Sequence, residues 1–343
     1  MHMADALISP AVGGGMWVIS AGLIWHCSRK LKDDLDGSKI PLMGVIGAFV
    51  FAAQMINFSI PATGSSGHLG GGMILAILLG PYAAFLTIAS VLTIQAFFFA
   101  DGGLLALGCN IFNLGFFPCF IAYPYIYKRI VGTSPGQGRI ITGALISALI
   151  GLQLGAFAVV LETWLSGISE LPFGMFVLLM QPIHLAIGIV EGLATAAVVI
   201  FIWKARPEIL TASSPAVSNN SISFKNVLIV LAVATLIVGG AVSWFASSHP
   251  DGLEWSMFRT SGSLELETPE SGIYHSLAGI QEKTAILPDY GFKQSPDTVE
   301  EEGTESWPAV SAGTTISGFV GSILTLILAI LLGFAFKRRR IKH

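Results

Sequence analysis

Apolar runs of about twenty residues, parted by short polar breaks, recur along most of the chain. A run of that length crosses a ~30 Å hydrocarbon core as a helix. The breaks predict helices over 8–27, 41–60, 104–126, 139–161, 175–203, 225–247 and 314–336, with two more inside 69–99. That stretch is divided because Gly80-Pro81 interrupts it; proline lacks the helical N–H and restricts the residue before it. Arg29, Lys30 and Lys32 close the first run, Pro61 ends the second, and the Ser-rich segment Thr211 to Ser223 reads as a linker. The pattern therefore predicts an all-α polytopic membrane protein with nine transmembrane helices. A seven-helix module over 1–205 is joined by a cytoplasmic linker, 206–224, to a two-helix module, 225–343, built around a hydrophilic external loop at 248–312.

Composition narrows the class. Hydrophobic residues make up 53% of the 343 residues and charged ones 11%, against ~25% charged in soluble domains. With a mean hydropathy of +0.73, so little charge does not cover a water-soluble globule. A soluble enzyme, a disordered chain and a secreted disulfide scaffold are excluded. The net charge of −3 and the lack of a basic stripe argue against a nucleic-acid partner. Cys27, Cys109 and Cys119 form no Cys-x-x-Cys pair and read as small buried hydrophobes. Short cytoplasmic segments collect Lys and Arg; nine spans ending in the basic tail Lys337 to Lys342 put every basic residue inside except Arg259, Lys283 and Lys293. The N-terminus is then external. The outer loop is acidic, with Glu300-Glu301-Glu302 as a run; a solvated face is the simpler reading, an antechamber that concentrates cations the sharper one.

The N-terminus lacks a basic n-region and a cleavage site, so Met1 and His2 are expected in the mature protein. A Met-His start offers the Met1 amine, the His2 amide nitrogen and the His2 imidazole Nδ1 in one string. These close a five- and a six-membered ring on one ion, a planar set that suits Ni(II), Cu(II) or low-spin Co(II). A fourth ligand has to come from the same membrane face, and His68 does, within Pro61-Ala-Thr-Gly-Ser-Ser-Gly-His68-Leu-Gly-Gly-Gly72. Non-helical backbone at membrane depth is tolerated where it lines a cavity, so this loop reads as a pocket wall; an ordinary turn with a solvated imidazole is the alternative. His184 and Glu191 share one face of an apolar helix and are read as polar contacts to neighbouring helices. Ser65, Ser66, Asp101, Asn110 and Asn113 suit supporting or loop-locking roles. His26 and His343 read as surface residues, while His249 and His275 lie in the acidic loop without partner spacing. No phosphate loop of the Gly-x-x-x-x-Gly-Lys-[Ser/Thr] type occurs, so uphill transport requires energy from another subunit.

The opening Met-His-Met-Ala-Asp-Ala-Leu-Ile-Ser-Pro resembles the start of the CbiM/NikM family, the substrate-capture (S) components of cobalt and nickel energy-coupling-factor transporters. The likeness continues through Gly-Ser-Ser-Gly-His68-Leu-Gly-Gly, Gln95-Ala-Phe-Phe-Phe-Ala-Asp101-Gly-Gly and His184-Leu-Ala-Ile-Gly-Ile-Val-Glu191-Gly, over roughly 1–205. The second module is similar to the CbiN/NikN or PDGL component, through Ser-Ser-His-Pro250-Asp-Gly-Leu253-Glu-Trp. The resemblance implies a square-planar site on the amine of Met1, the backbone nitrogen and imidazole of His2, and the imidazole of His68. It implies no resident cofactor, a transported Ni(II) or Co(II), a transmembrane coupling (T) subunit, cytoplasmic ATPases and a multi-pass place in the cell membrane. The loop Ser-Ser-Gly-His-Leu-Gly-Gly is nearer the nickel-type pattern than the His-Pro-Thr-Gly of cobalt members. A membrane-embedded metalloenzyme would need an open coordination position and a nearby acid or base. A sensory protein with an incidental Met-His start is the other alternative.

Overall fold

The computed structural model describes residues 2–34, 39–210, 223–264, 266–269, 272–293 and 307–338. Met1, most of the linker, the Glu300-Glu301-Glu302 run and His343 lie outside the described residues. Helices α1 (Pro10–Asp34) and α2 (Lys39–Gln54) open the fold. The helix expected to reach residue 60 stops at Gln54. There the buried side chain turns to the loop, donating to the Gly70 carbonyl at 2.8 Å and accepting from Gln95 at 3.0 Å. A short hairpin takes the remaining residues: β1 (Phe58–Ile60) pairs antiparallel with β2 (Ser65–Gly67), with Ser59 opposite Ser66. Every residue of β2 is buried.

The break at Gly80-Pro81 falls where expected, between α3 (Gly72–Leu79) and α4 (Pro81–Phe98). Proline opens α4, where its missing N–H has no helical acceptor to lose. At eight residues, α3 rises only ~12 Å, less than half a ~30 Å core. It is a half-helix preceded by largely buried, non-helical backbone, rather than a full span. Helix α5 (Leu107–Val131) carries Pro118 and Pro124 inside and widens into π-type turns over Phe112–Tyr127, which accommodates two positions without a backbone donor. The long helices α6 (Gln137–Ser166) and α7 (Phe173–Ala205) pack along each other.

Beyond the linker come α8 (Phe224–Gly240) and, at the end, α11 (Ala312–Arg338). The hydrophilic stretch between them is more than a loop: it folds α9 (Gly252–Ser261) and α10 (Ile273–Thr284). Both α8 and α11 pack on α2. They also meet each other so closely that a Cβ on Gly318 would sit 2.3 Å from the Gly239 carbonyl oxygen. Small residues that let backbones approach are how helices associate in lipid, where apolar burial gives no drive. Helices α4, α5, α6, α7 and α11 are long and apolar enough to cross a membrane, and α2 and α8 are shorter apolar helices. Trp25, Trp164, Leu178, Leu193 and Leu331 stand exposed on the outside, a surface suited to lipid rather than water.

Candidate metal centre

The residues before α1 thread inward instead of lying on the surface. Met3 is fully buried, its N–H donates to Asn110 Oδ1 at 2.8 Å, and its carbonyl accepts from Asn110 Nδ2 and the Gly103 N–H. Asp5 Oδ1 accepts the Ala106 N–H at 3.0 Å. The segment passes Gly103 so tightly that a Cβ there would lie 1.8 Å from Asp5 Oδ1, and neighbouring Gly102 holds φ at +81°. Only glycine meets both demands, which is the physical content of the Asp101-Gly-Gly motif.

This threading delivers His2 to the interior. Its Nδ1 lies 3.0 Å from Asp101 Oδ1, while its buried Nε2 has no hydrogen-bond partner among the described residues. Burial alone would raise the Asp101 pKa. The neighbouring His2 and hydrogen bonds from His2 and Tyr290 outweigh that and hold the carboxyl well below the usual carboxylate range.

His68 follows β2, and its ring stacks on that of His2 with centroids 4.9 Å apart and planes 1° from parallel. Its Nδ1 faces the Leu69 carbonyl at 3.2 Å. A carbonyl can only accept, so Nδ1 carries the proton and Nε2 the lone pair. Burial pushes the His68 pKa down to about 3, which keeps the ring neutral. The backbone just beyond is clamped by Glu191 of α7, whose carboxylate accepts the N–H groups of Gly70 at 3.0 Å and Gly71 at 3.1 Å. Glu191 thus makes the polar contact to a neighbouring element that its place in an apolar helix suggested.

The second module forms part of this centre. The Pro250 carbonyl accepts the Ser66 N–H at 2.8 Å and the His249 carbonyl accepts the Ser66 hydroxyl at 2.8 Å. Asp251 caps α9, its Oδ1 accepting the N–H groups of Leu253 and Glu254 while Glu254 bonds back to the Asp251 N–H. Its Oδ2 then stands 3.8 Å from His68 Nε2. Beside His2 opens a cavity of about 360 Å³ whose wall includes His2, Asp5, Asp101, Glu254 and Asp289. Four carboxyl side chains on one wall favour cations over anions there.

The expected residues divide cleanly. His2, His68, Asp101 and Ser66 come together. Asn110 anchors the threaded segment, Ser65 bonds Thr63 at 2.8 Å, and Asn113 bonds Glu162 at 2.7 Å beside Met3. His26 packs against Tyr82 and His275 is exposed on α10, both apart from the centre; His249 meets it through its carbonyl. Sequence reasoning missed Asp251 and Tyr290, although Asp251-x-x-Glu254 is a capping box that marks a helix start in the supposed loop. Among the described residues, no three His, Cys, Asp or Glu side chains converge closely enough to hold an ion unaided.

These features define a multi-pass helical membrane protein with a buried imidazole pair at one end of the bundle. The chain belongs to the CbiM family, described as the cobalt uptake substrate-specific transmembrane region, which matches residues 2–209. Residues 225–338 match the PDGLE domain. A putative fused nickel transport protein NikMN of Archaeoglobus fulgidus is 32% identical over 341 residues, 98% of each chain. The fused nickel transport protein NikMN of Rhodobacter capsulatus is 29% identical over 84% of this chain and 88% of its own. A crystal structure of a truncated transition metal transporter superposes with a TM-score of 0.53 at 29% identity, over 60% of this chain and 99% of that one.

Proposed function

We propose that this protein is the substrate-capture subunit of an energy-coupling-factor importer in the cell membrane, taking up Ni(II) or Co(II) from the external face. The ion is held in a plane by four nitrogens: the amine of Met1, the amide nitrogen and Nδ1 of His2, and the imidazole of His68. The observation that carries this reading is the convergence of His2 and His68, distant in sequence, to stacked rings 4.9 Å apart beside an acidic cavity. A donor set in which two nitrogens are terminal or backbone needs no three-side-chain cluster. Planar nitrogen coordination excludes hard cations such as Mg(II) and suits d⁸ Ni(II). The fused relatives that match over most of the chain are named nickel transport proteins, while relatives named cobalt transport proteins match about 60% of it; the fused organisation favours nickel.

Asp101 and the ion compete for the same nitrogen, since His2 Nδ1 pairs with the carboxylate at 3.0 Å. Loading therefore exchanges the Asp101 contact for the metal. The chain divides into a capture module over 1–205, a cytoplasmic linker over 206–224 and a PDGL module over 225–343, with the N-terminus outside and the C-terminus inside. Energy comes from a transmembrane coupling subunit and cytoplasmic ATPases. The test is the visible absorption of the purified protein with Ni(II). A planar, diamagnetic complex is expected, and one extra residue before Met1 should abolish it by moving the amine out of chelate reach. An extended chain with an unchanged spectrum would overturn the four-nitrogen site.

A further inference from the structure

Helix α10 has three distinct sides. Tyr274 and Gln281, two turns apart on one stripe, tie it to the bundle. The Tyr274 hydroxyl donates to the Ile8 carbonyl at 2.9 Å, and Gln281 Nε2 donates to the carbonyls of Ala96 at 2.9 Å and Gly102 at 2.8 Å. A quarter-turn round the helix, Ile273, Leu277 and Ile280 make an apolar stripe at helical spacing. Ile273 and Ile280 are nevertheless 45% and 46% exposed. His275 and Glu282 stand on the side opposite this stripe, exposed. The two polar anchors fix the roll of the helix, so the apolar stripe faces the outer end of α1. Between them runs a groove of about 330 Å³ whose walls include Gly14, Trp17 and Phe97 with the three α10 side chains. The one polar side-chain atom in those walls, the Trp17 indole nitrogen, already donates to the Leu104 carbonyl at 2.9 Å.

The groove is continuous with the lipid-facing surface, which identifies its occupant. Phe97 lies in the last turn of α4, whose 18 residues rise ~27 Å, close to the thickness of the hydrocarbon core. The groove therefore sits at the hydrocarbon boundary. Further along α1, Val18, Ile19 and Trp25 are exposed. A Cβ on Gly14 or Gly15 would meet nothing within 4 Å, so no described residue stands over this side of α1. Residues 294–306, outside the described ones, contain a single aliphatic side chain, Val299, and offer no apolar face to close the groove. From Pro10 to Trp17, α1 rises ~10 Å. That matches the depth, about 5–10 Å, to which an amphipathic helix buries its apolar face at a membrane surface. Lys283, exposed a quarter-turn beyond the stripe, places an ammonium at the level of lipid phosphate.

We propose that α10 is a membrane-interface helix and that the groove between it and α1 seats a hydrocarbon chain of a membrane phospholipid. In the orientation proposed above, this lipid belongs to the outer leaflet. It backs the helix whose other stripe holds the Ile8 and Gly102 carbonyls, on either side of the threaded segment that delivers His2. The bilayer thereby helps to keep the external part of the second module seated over the metal centre.

The experiment uses the full chain in phosphatidylcholine nanodiscs, with a nitroxide attached at Ile280→Cys and, separately, at His275→Cys; the three native cysteines are buried. Oxygen concentrates in hydrocarbon and chromium oxalate stays in water. The ratio of relaxation by oxygen to relaxation by chromium oxalate should be several-fold higher at position 280 than at position 275. In the unsubstituted chain, a phosphatidylcholine with a diazirine midway along one acyl chain should crosslink on illumination to peptides holding Pro10 to Trp17 and Ile273 to Ile280. Leu277→Glu, which sets a charge in the groove, should remove the α10 crosslinks and keep those around the exposed Leu178 and Leu193 of α7. Equal ratios at the two labels, or a label at 280 shielded from both reagents, would overturn the interfacial placement. An unsubstituted chain crosslinked at α7 but not at α10, or a Leu277→Glu chain crosslinked at α10 as before, would overturn the lipid seat. No readout involves metal, so these outcomes are independent of the nickel or cobalt reading.

Discussion

At the scale of single residues, His68 and His2 play unequal parts, and this makes the site testable. His68→Ala leaves a planar ion with one open corner, which water can fill, so affinity should fall by about tenfold or more without vanishing. His26→Ala and His275→Ala, whose rings lie against Tyr82 and on the exposed face of α10, should leave affinity unchanged. Titration of the three variants with Ni(II) checks this, and equal losses would mean nonspecific binding. The pH dependence follows from protons displaced. Burial disfavours the charged form of the His68 ring, so its proton competes with metal less than that of a solvated imidazole would. The proposed amide of His2, by contrast, surrenders a proton on binding, and the amine adds to this. The Kd for Ni(II) should therefore rise by at least about tenfold per pH unit as pH falls through neutrality. A flat profile would point to oxygen ligands.

At the scale of elements, the non-helical segment 65–71 is the part that has to be held, and α7 holds it. Glu191 accepts two buried N–H groups, from Gly70 and Gly71. Glu191→Ala orphans both, at about 1–3 kcal/mol each, while Glu191→Gln retains one acceptor oxygen. Thermal unfolding in detergent should rank wild type above Glu191→Gln above Glu191→Ala, with nickel affinity falling in the same order as His68 loses its frame. An Ala variant as stable as wild type would show that the loop is fixed from elsewhere. The sequence made much of this scale legible: long apolar periodicity located α1 and α4 to α7, and Gly80-Pro81 marked a real break. It misled where a short apolar stretch could be either helix or strand. Phe58 to Ile60 extends an apolar run yet pairs with Ser65 to Gly67 in a hairpin, because the periodicity of so short an apolar stretch does not tell helix from strand.

At the scale of the whole molecule, the sequence placed every proposed ligand in the first module, and the structure adds a roof from the second. The local part of the centre was readable because a Met-His start and a Gly/Ser loop with one imidazole carry their chemistry in adjacent residues. The convergence of Asp251 and Tyr290 on His68 and Asp101 was not, since it depends on how α8 and α11 pack on α2 and where the intervening stretch then falls. Truncation after Arg206 makes the roof's contribution measurable. The truncated chain keeps His2, His68, Asp101 and Glu191, so its planar Ni(II) spectrum should persist. It loses the Pro250 carbonyl on Ser66, the Asp251 carboxylate near His68 and the Tyr290 hydroxyl on Asp101. It also loses Glu254 and Asp289 from the wall of the acidic cavity, so the attraction that concentrates cations there weakens and becomes less sensitive to salt. Loading should slow, and uptake by cells that also express the coupling subunit and ATPases should fall well below that of the full chain. Binding and uptake need to be measured on the same truncated protein. A lost planar spectrum would place one of its ligands in the second module, and undiminished uptake would reduce that module to a passive cover.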